Sequence, residues 1–582
     1  TNENWEWQSH TVNDSVIYTP IVIDRNHAFT KVDGVLFKQM LKMLSLDFIC
    51  NYDSLILKDT KKINKLAFAL DMAVAGRSDE SVWIRQAQEI RKQMTDSLID
   101  SAFTYLPEGV KHDEIELIKR KLKRRRLELE AVASQYYRLL QRTPVVAGTN
   151  QSDYFLIERQ APDRTILRIY DPETGDCRLE QQFSGRETKE LWLYGLAGND
   201  TFEVKGNTRK DFPIYLISGE GENQYQLNHN RKIHVYDKDY KYDYQKIKYH
   251  KISFTPWGIY DSDKGISLGT FFTYTMYGFK RAPFTYQHRI GYNYLKGFMY
   301  AGVFPNYDGR RRLYLNASIS SPRNFENFFG FGNNTAGYKE EKKNYNRVKL
   351  RTYMFNPSFE MDLRKEEVMT FFGSLDMYKA KRTDDRYIYT VYGEDHPIFR
   401  TNYFVGLGAT YRITKQPYSW LPLLETEWTA GWKMNLKKPE RNFPYAQGSL
   451  SWNVRFSDRF TWASLMKGTV LFDNDYEFYQ AATIDLRGFR DNRFIGKQSF
   501  YQYSDLRLDM GKLKNPFTPL KYGLFAGFDY GRVWFPGERS HSWHTSYGGG
   551  IWLTFLNKFT TKYSWFGSTD SFRFAFELGL GF

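Results

Sequence analysis

Hydrophobic and polar side chains alternate along the C-terminal part of the chain. In its last segment Phe572, Phe574, Phe576, Leu578, Leu580 and Phe582 share one face, and Arg573, Ala575, Glu577, Gly579 and Gly581 the other. A period of two is that of a β-strand with one apolar side. Tyr501 to Met510 repeats it, setting Leu506, Leu508 and Met510 against Asp505, Arg507 and Asp509. Three ionic groups in a row cannot face lipid, so the pattern predicts a wet interior behind an apolar exterior. From His250 onward such segments, each roughly 9 to 13 residues, are separated by Gly, Asn, Asp, Pro or charged turns. Long insertions fall at Ser321 to Lys343 and Ala380 to Arg400. At roughly 20 residues per strand with its connection, residues 250–582 hold on the order of 16 strands, the even number of a bacterial single-chain barrel. The strand ending at Phe582 is expected to close against the first, because an open edge in lipid leaves backbone groups unpaired. A soluble sandwich also alternates, but it does not demand strands this long.

Upstream, three further textures follow one another. Residues 1–32 are mixed and strand-like, with Val16 to Tyr18 and Ile21 to Ile23 on either side of Pro20. Residues 33–144 turn helical: Leu36, Met40, Met43 and Leu44 recur at helical spacing, as do Ile115, Ile118 and Leu122 after a break at Leu106-Pro107-Glu108-Gly109. Residues 145–249 turn to short strands, clearest at Tyr154 to Glu158, Thr165 to Tyr170 and Leu191 to Tyr194. Two turns in that region align at an offset of 23 residues, Gly195-Leu-Ala-Gly198-Asn-Asp200-Thr-Phe202 and Ser218-Gly219-Glu-Gly221-Glu-Asn223-Gln-Tyr225. Both approximate the corner of calcium-binding β-rolls, in which glycines make the bend, an acid supplies a hard oxygen and an apolar residue enters the core. Two readings stand: calcium held by Asp200 and Asn223, or a small solenoid-like stack without metal. The expected fold class is mixed: a C-terminal transmembrane antiparallel β-barrel of about 16 strands, preceded by an α-helical block and a small β region.

Composition sharpens this. Aromatics make up 18% of the 582 residues while hydrophobic residues reach only 41%, and the mean hydropathy is −0.60. Many rings on a wet chain suit a barrel with aromatic girdles. No stretch approaches the roughly 20 apolar residues of a spanning helix, which excludes a helical membrane protein. The formal charge of +15 is spread along the chain. Its one dense run, Lys119 to Arg126, falls in the helical pattern and reads as a solvated or headgroup-facing surface, so nucleic acid is not an expected partner. Cys50 and Cys177 cannot make a disulfide framework or a zinc site. The chain begins Thr-Asn-Glu, without an initiator Met or an apolar signal, which puts any targeting segment upstream or already removed.

The most specific stretch lies between Ala481 and Trp534. Leu486-Arg487-Gly488-Phe489 opens a loop running to Lys497; one following strand carries Asp505, and the next reads Gly523-Leu-Phe-Ala-Gly527-Phe-Asp529-Tyr-Gly531. Strand phase turns Asp529 inward between two glycines that clear space around it, and Arg487 can bridge carboxylates bidentately in a partly dry interior. The Arg-Gly-Phe loop, the acidic strand, the Gly-Phe-Asp-x-Gly strand and the terminal Phe strand resemble, in order and spacing, the C-terminal half of the BamA/TamA outer-membrane superfamily, the bacterial surface antigen proteins. The resemblance implies a sixteen-stranded barrel that inserts or translocates protein, in which residues 486–489 are the tip of an external loop folded into the lumen and Arg487 pairs with Asp529 and Asp505. It covers residues 480–582 by motif and residues 250–480 by strand texture. The family's POTRA modules have a βααββ pattern, and the sequence shows no tandem series of them.

A second resemblance touches the first residues. Asn2-Glu-Asn4-Trp5 and Ile21-Val-Ile-Asp24-Arg-Asn26 look like the second half of the active site of CotH-like atypical kinases, where Asn and Asp hold metal and phosphates. This implies Asn4 and Asp24 as magnesium ligands, with Asn26 standing where the family has a second Asp; the alternative is a structural β segment. The expected chain performs no catalysis of its own and requires no cofactor, calcium or magnesium being the candidate ions. It is expected in a bacterial outer membrane, with lipid and a protein client or fused upstream domain as partners. The rival roles are a membrane anchor for an upstream phosphotransferase or phosphatase, and a passive pore.

Overall fold

A computed structural model describes the chain apart from residues 1–4, 13–14, 24–28, 31–40, 42–47, 54, 107–111, 229–230, 238–239, 241, 244–250, 262, 282, 307–308, 336–343, 384, 416–422, 514–519, 556–558 and 581–582. The chain divides into two compact units, residues 1–249 and 250–582.

The first unit opens with a hairpin, Trp5–Val12 against Ser15–Val22. The helices Glu80–Gln93 and Leu129–Leu140 pack on one another, with Trp83 edge-on to Tyr136 and Leu140 fully buried. Positions 36, 40, 43 and 44 and the break at 107–109 lie outside the described residues. The basic run falls on the helix His112–Leu127, where Arg120 and Arg124 are exposed and several of the other cations are engaged by neighbouring elements. Lys123 pairs with Asp100 at 2.8 Å, Arg126 with Asp96 at 2.9 Å, and Lys121 and Arg125 donate to the carbonyls of Tyr52 and Asp53.

The two aligned turns are corners of a stack of coils. Val145–Ala147, Leu191–Tyr194, Ile214–Ile217 and Ile233–Tyr236 form one sheet through parallel neighbours. Tyr154–Gln160, Thr201–Gly206 and Gln224–Leu227 run parallel in a second. Register sets Tyr154, Thr201 and Gln224 in line, so Asp153, Asp200 and Asn223 occupy the same corner of successive coils. Each side-chain oxygen takes the N–H of the rung before it. Asp153 N donates to Asp200 Oδ1 at 2.9 Å, and Asp200 N to Asn223 Oδ1 at 2.9 Å. Behind the corner Phe155 stacks on Phe202 at 4.5 Å, and Phe202 on Tyr225 at 5.7 Å. Glycine is required at the bend: Gly198 has φ +103°, and a Cβ there would lie 2.5 Å from the Gln151 carbonyl carbon.

The second unit is a closed antiparallel barrel of sixteen wall strands among the described residues, from Lys251–Asp261 to Phe572–Leu580. The short strand Phe325–Asn327 extends the wall along Arg347–Arg364 beyond the end of Arg311–Ile319. Alternation sorts the side chains: Leu524, Ala526 and Phe528 are exposed while Phe525, Asp529 and Val533 are buried. The outside is apolar, with Ile252 76%, Leu268 62% and Leu407 63% exposed. Among the described residues no helix is long and apolar enough to cross a membrane. A barrel wearing greasy residues outside can do so, because strand pairing around the wall satisfies most of its backbone groups internally.

One seam in the wall is thin. The first strand pairs with its successor along all eleven of its residues, Lys251 through Asp261. Against the last strand, among the described residues, it pairs only at Tyr260 with Phe576 and Asp261 with Ala575. The closure expected at Phe582 lies outside the described residues. The two pairs sit at the end of the barrel that carries the long connections, including residues 320–346, 381–401 and 472–497.

Asp200 generates a test. Its side chain is buried, Oδ2 has no hydrogen-bond partner, and burial pushes its pKa up to about 7, with the Asp153 carboxylate adding to the rise and the Asp153 N–H opposing it. A carboxyl whose folded pKa is raised binds more protons folded than unfolded, so its contribution to stability is present below about pH 4 and lost as pH rises through about 7. Melting of the first unit should fall across that window by on the order of 1–2 kcal/mol, and Asp200→Asn should flatten the profile. A calcium-dependent rise in melting temperature at pH 8 would instead make Asp200 a metal ligand.

Candidate functional site

The connection between Phe460–Leu471 and Gln498–Leu513 turns back into the barrel. A two-residue ladder, Ala482–Thr483 against Ile495–Gly496, stiffens it, and residues 484–494 form its tip. Ile484, Leu486, Phe489 and Phe494 pack with wall residues Tyr501 and Val533 into a buried cluster. Phe494 stacks on His544 with ring centroids 3.5 Å apart. The expectation of a wet interior fails at this level, because the loop tip fills the lumen with apolar side chains.

Arg487 is at the centre of the filled region. Its backbone N–H donates to Asp529 Oδ2 at 3.0 Å, Nε to both carboxylate oxygens at 3.1 Å, and Nη2 to Oδ1 at 2.5 Å. Nη1 donates to Asp505 Oδ1 at 2.6 Å. Ser546 Oγ adds a fourth donor group to Asp529, at 2.8 Å. Asp529 is wholly buried and Asp505 nearly so. The guanidinium also lies 3.9 Å from the Phe566 ring centroid. Gly527 makes this approach possible: a Cβ there would sit 2.7 Å from Arg487 Nη2 and 2.8 Å from Asp505 Oδ1. Asp505 further faces Arg507 and Lys562, each at 3.6 Å, so three cations surround it.

The rest of the motif presses against the wall. Gly488 has no room for a side chain, since a Cβ would lie 2.6 Å from Ser546 Cβ, and its carbonyl accepts from Ser568 Oγ at 2.7 Å. The Phe489 carbonyl accepts from Arg573. Beyond the tip the loop reaches both sides of the thin seam. Arg490 pairs with Asp263, in the turn after the first strand, at 2.5 Å, and Lys264 in that turn pairs with Asp491 at 2.7 Å. Arg493 pairs with Asp570, in the turn before the last strand. The loop is thus a clasp across the seam, a role that sequence reasoning missed. Its signal was the charge pattern Arg490-Asp-Asn-Arg493, whose partners are turn residues far away in sequence.

The remaining sequence candidates lie elsewhere. Asp200 and Asn223 are rungs of the corner ladder described above, and the described residues contain no group of three or more His, Cys, Asp or Glu side chains suited to a metal. Asn4 and Asp24 lie outside the described residues.

No family model matches the sequence, and no curated protein aligns with it. Among solved structures the chain is similar to BamA from Haemophilus ducreyi lacking POTRA domains 1–3, over 57% of this chain and 71% of that one, at 11% identity and a TM-score of 0.43. It is also similar to CdiB from Escherichia coli, over 57% and 67%, at 10% identity and TM-score 0.39. CdiB from Acinetobacter baumannii aligns over 58% and 66%, at 12% identity and TM-score 0.36. Likeness this distant leaves the functional reading on this chain's own residues, and none of these structures supports the kinase resemblance of residues 1–32.

The Arg487–Asp529 pair predicts damage from replacing either partner. Arg487→Ala strands the buried Asp529 carboxylate and should cost about 3–5 kcal/mol. From sequence alone Asp529→Asn is expected to do less, because an amide still accepts. The geometry removes that difference: four donor groups converge on the two oxygens, and an amide turns an NH2 toward one set of them. Both variants should lower the temperature at which the folded band is lost on a semi-native gel by similar amounts. A stable Asp529→Asn protein would remove the ion pair as a brace.

Proposed function

We propose that this chain is an outer-membrane barrel of the BamA/TamA type that inserts protein into, or moves it across, the membrane. Its partners in that role are lipid and a protein client, and no catalysis or cofactor is involved. The carrying observation is the thin seam, two residue pairs against eleven on the other edge of the first strand. Backbone pairs are what hold a barrel shut in lipid, so this is where the wall parts at least cost. Opening there exposes two strand edges, on which an incoming β-segment can form the missing hydrogen bonds. The clasp of Arg490, Asp491 and Arg493 reaches across the loop end of the seam and controls how far it opens. The first unit carries a helical block and a β stack.

Tyr260 and Phe576 face each other directly across the seam, which makes them the place to lock it. With both replaced by Cys, oxidation should close the seam, stop assembly of heat-modifiable barrel proteins in cells that depend on this chain, and be reversed by dithiothreitol. Undiminished assembly with the cross-link complete would discard the seam mechanism and leave the barrel as an anchor for an enzymatic domain.

A further inference from the structure

On the outward face of the wall, at the loop end, four cations stand together without an ion-pair partner among the described residues. The strand Arg347–Arg364 presents Lys349, Arg351, Tyr353 and Phe355 outward, alternating with buried Val348, Leu350 and Thr352. Its neighbour Glu367–Ala380 presents Leu375 and Lys379, and exposed Lys381 follows. Register sets Arg351 opposite Lys379, and the Lys381 N–H donates to the Lys349 carbonyl at 2.8 Å. Two like-charge pairs are therefore stacked on adjacent strands. None of the four is ion-paired within the described residues. On the same rim Glu394 is taken by Arg382, leaving Asp395 as the other acid among the described residues that line the recess.

Like charges directly opposite on a sheet oppose folding, and cations near a lipid-facing surface add to the cost. The arrangement gains stability when an anion lies between the pairs. The four cations line a recess of about 920 Å³ that also contains Phe298, Ile319 and Tyr353, which are 58%, 46% and 40% exposed. That apolar side continues along the same strands into Phe355 and Leu375. Cations above and grease below suit an amphiphile better than a free ion.

We infer that this recess binds a phosphorylated membrane lipid, with phosphate between the Lys349–Lys381 and Arg351–Lys379 pairs and acyl chains along Ile319, Tyr353 and Phe355. In outer-membrane barrels the long loops face outward, which puts the recess at the outer leaflet. The inference rests on the barrel spanning a membrane and not on its moving protein.

The test uses the full chain in non-ionic detergent with three probes: lipid A carrying two phosphates, the same lipid A dephosphorylated, and inorganic phosphate. Phosphorylated lipid A should stay bound in native mass spectra and raise the melting temperature, and the other two should do neither. Combining Lys349→Gln, Arg351→Gln, Lys379→Gln and Lys381→Gln should weaken lipid A binding about 100-fold or more. With no lipid present that variant should melt no lower than wild type, because the repulsion is gone. If it does not fold, Lys349→Gln with Lys379→Gln should weaken binding about tenfold. Lys512→Gln with Lys521→Gln, a Lys pair opposed at the other end of the wall, should leave binding unchanged. Wild-type affinity in the Gln variants, equal loss in the Lys512/Lys521 control, or stabilisation by inorganic phosphate alone would each overturn the site. Heat-modifiable migration of the same samples reports the barrel itself, so a failed barrel and a failed lipid site look different.

Discussion

Arg487 places a full positive charge inside the barrel wall, where an unmatched ion costs several kcal/mol. Much of the second unit's interior answers that constraint. Asp529 meets the guanidinium edge-on through three of its donors' bonds and also takes the Arg487 backbone N–H. Asp505 takes the remaining nitrogen, and Phe566 covers the flat face. Gly527 leaves out the side chain that would block the approach. Once the guanidinium is fixed, the loop that carries it has one place to go. Its apolar residues then fill the lumen, and its flanking charges land on the turns at either side of the seam.

This order of dependence explains how a barrel can keep a weak joint. A wall held by two residue pairs at one junction would be expected to fray from there. The loop moves part of the closing interaction from backbone to side chains, through Arg490 on Asp263 and Arg493 on Asp570. Side-chain ion pairs can be exchanged one at a time, whereas a long ladder must be broken as a block. At this joint side-chain pairs stand in for part of the missing backbone ladder.

What was legible in the sequence follows from how local each signal is. Period-two alternation is a property of single strands, so the wall, its inward Asp505 and Asp529 and its outward Leu506 and Leu524 could be read residue by residue. The Arg-Gly-Phe motif and the glycines beside Asp529 share a short stretch, and their meeting followed from strand phase. The clasp was hidden because its partners, Asp263 and Asp570, lie in turns at opposite ends of the barrel sequence. The stack was half-read. The 23-residue offset shows two corners, but Asp153 is 47 residues before Asp200, beyond the insertion that carries the strands Arg164–Tyr170 and Cys177–Ser184. That insertion breaks the repeat and conceals the third rung. The wet interior was misread because alternation distinguishes inside from outside, but says nothing of what a distant loop brings in.

The ladder corner and the barrel bracket use one device under different electrostatics. In both, a side-chain oxygen satisfies a backbone N–H that has no partner in its own strand: Asp200 serves Asp153, Asn223 serves Asp200, and Asp529 serves Arg487. At the corner the neighbour is another carboxylate and burial dominates, so the Asp200 charge is held toward the neutral form. A neutral acceptor is all that position needs, which is why an Asn can occupy the next rung. At the bracket a guanidinium and a hydroxyl arrive together with the backbone N–H, and only a group that accepts on both oxygens can receive them. An Asn serves as one corner rung but would not serve as the floor of the Arg487 site. The difference is set by how many donors converge and by whether one of them is charged.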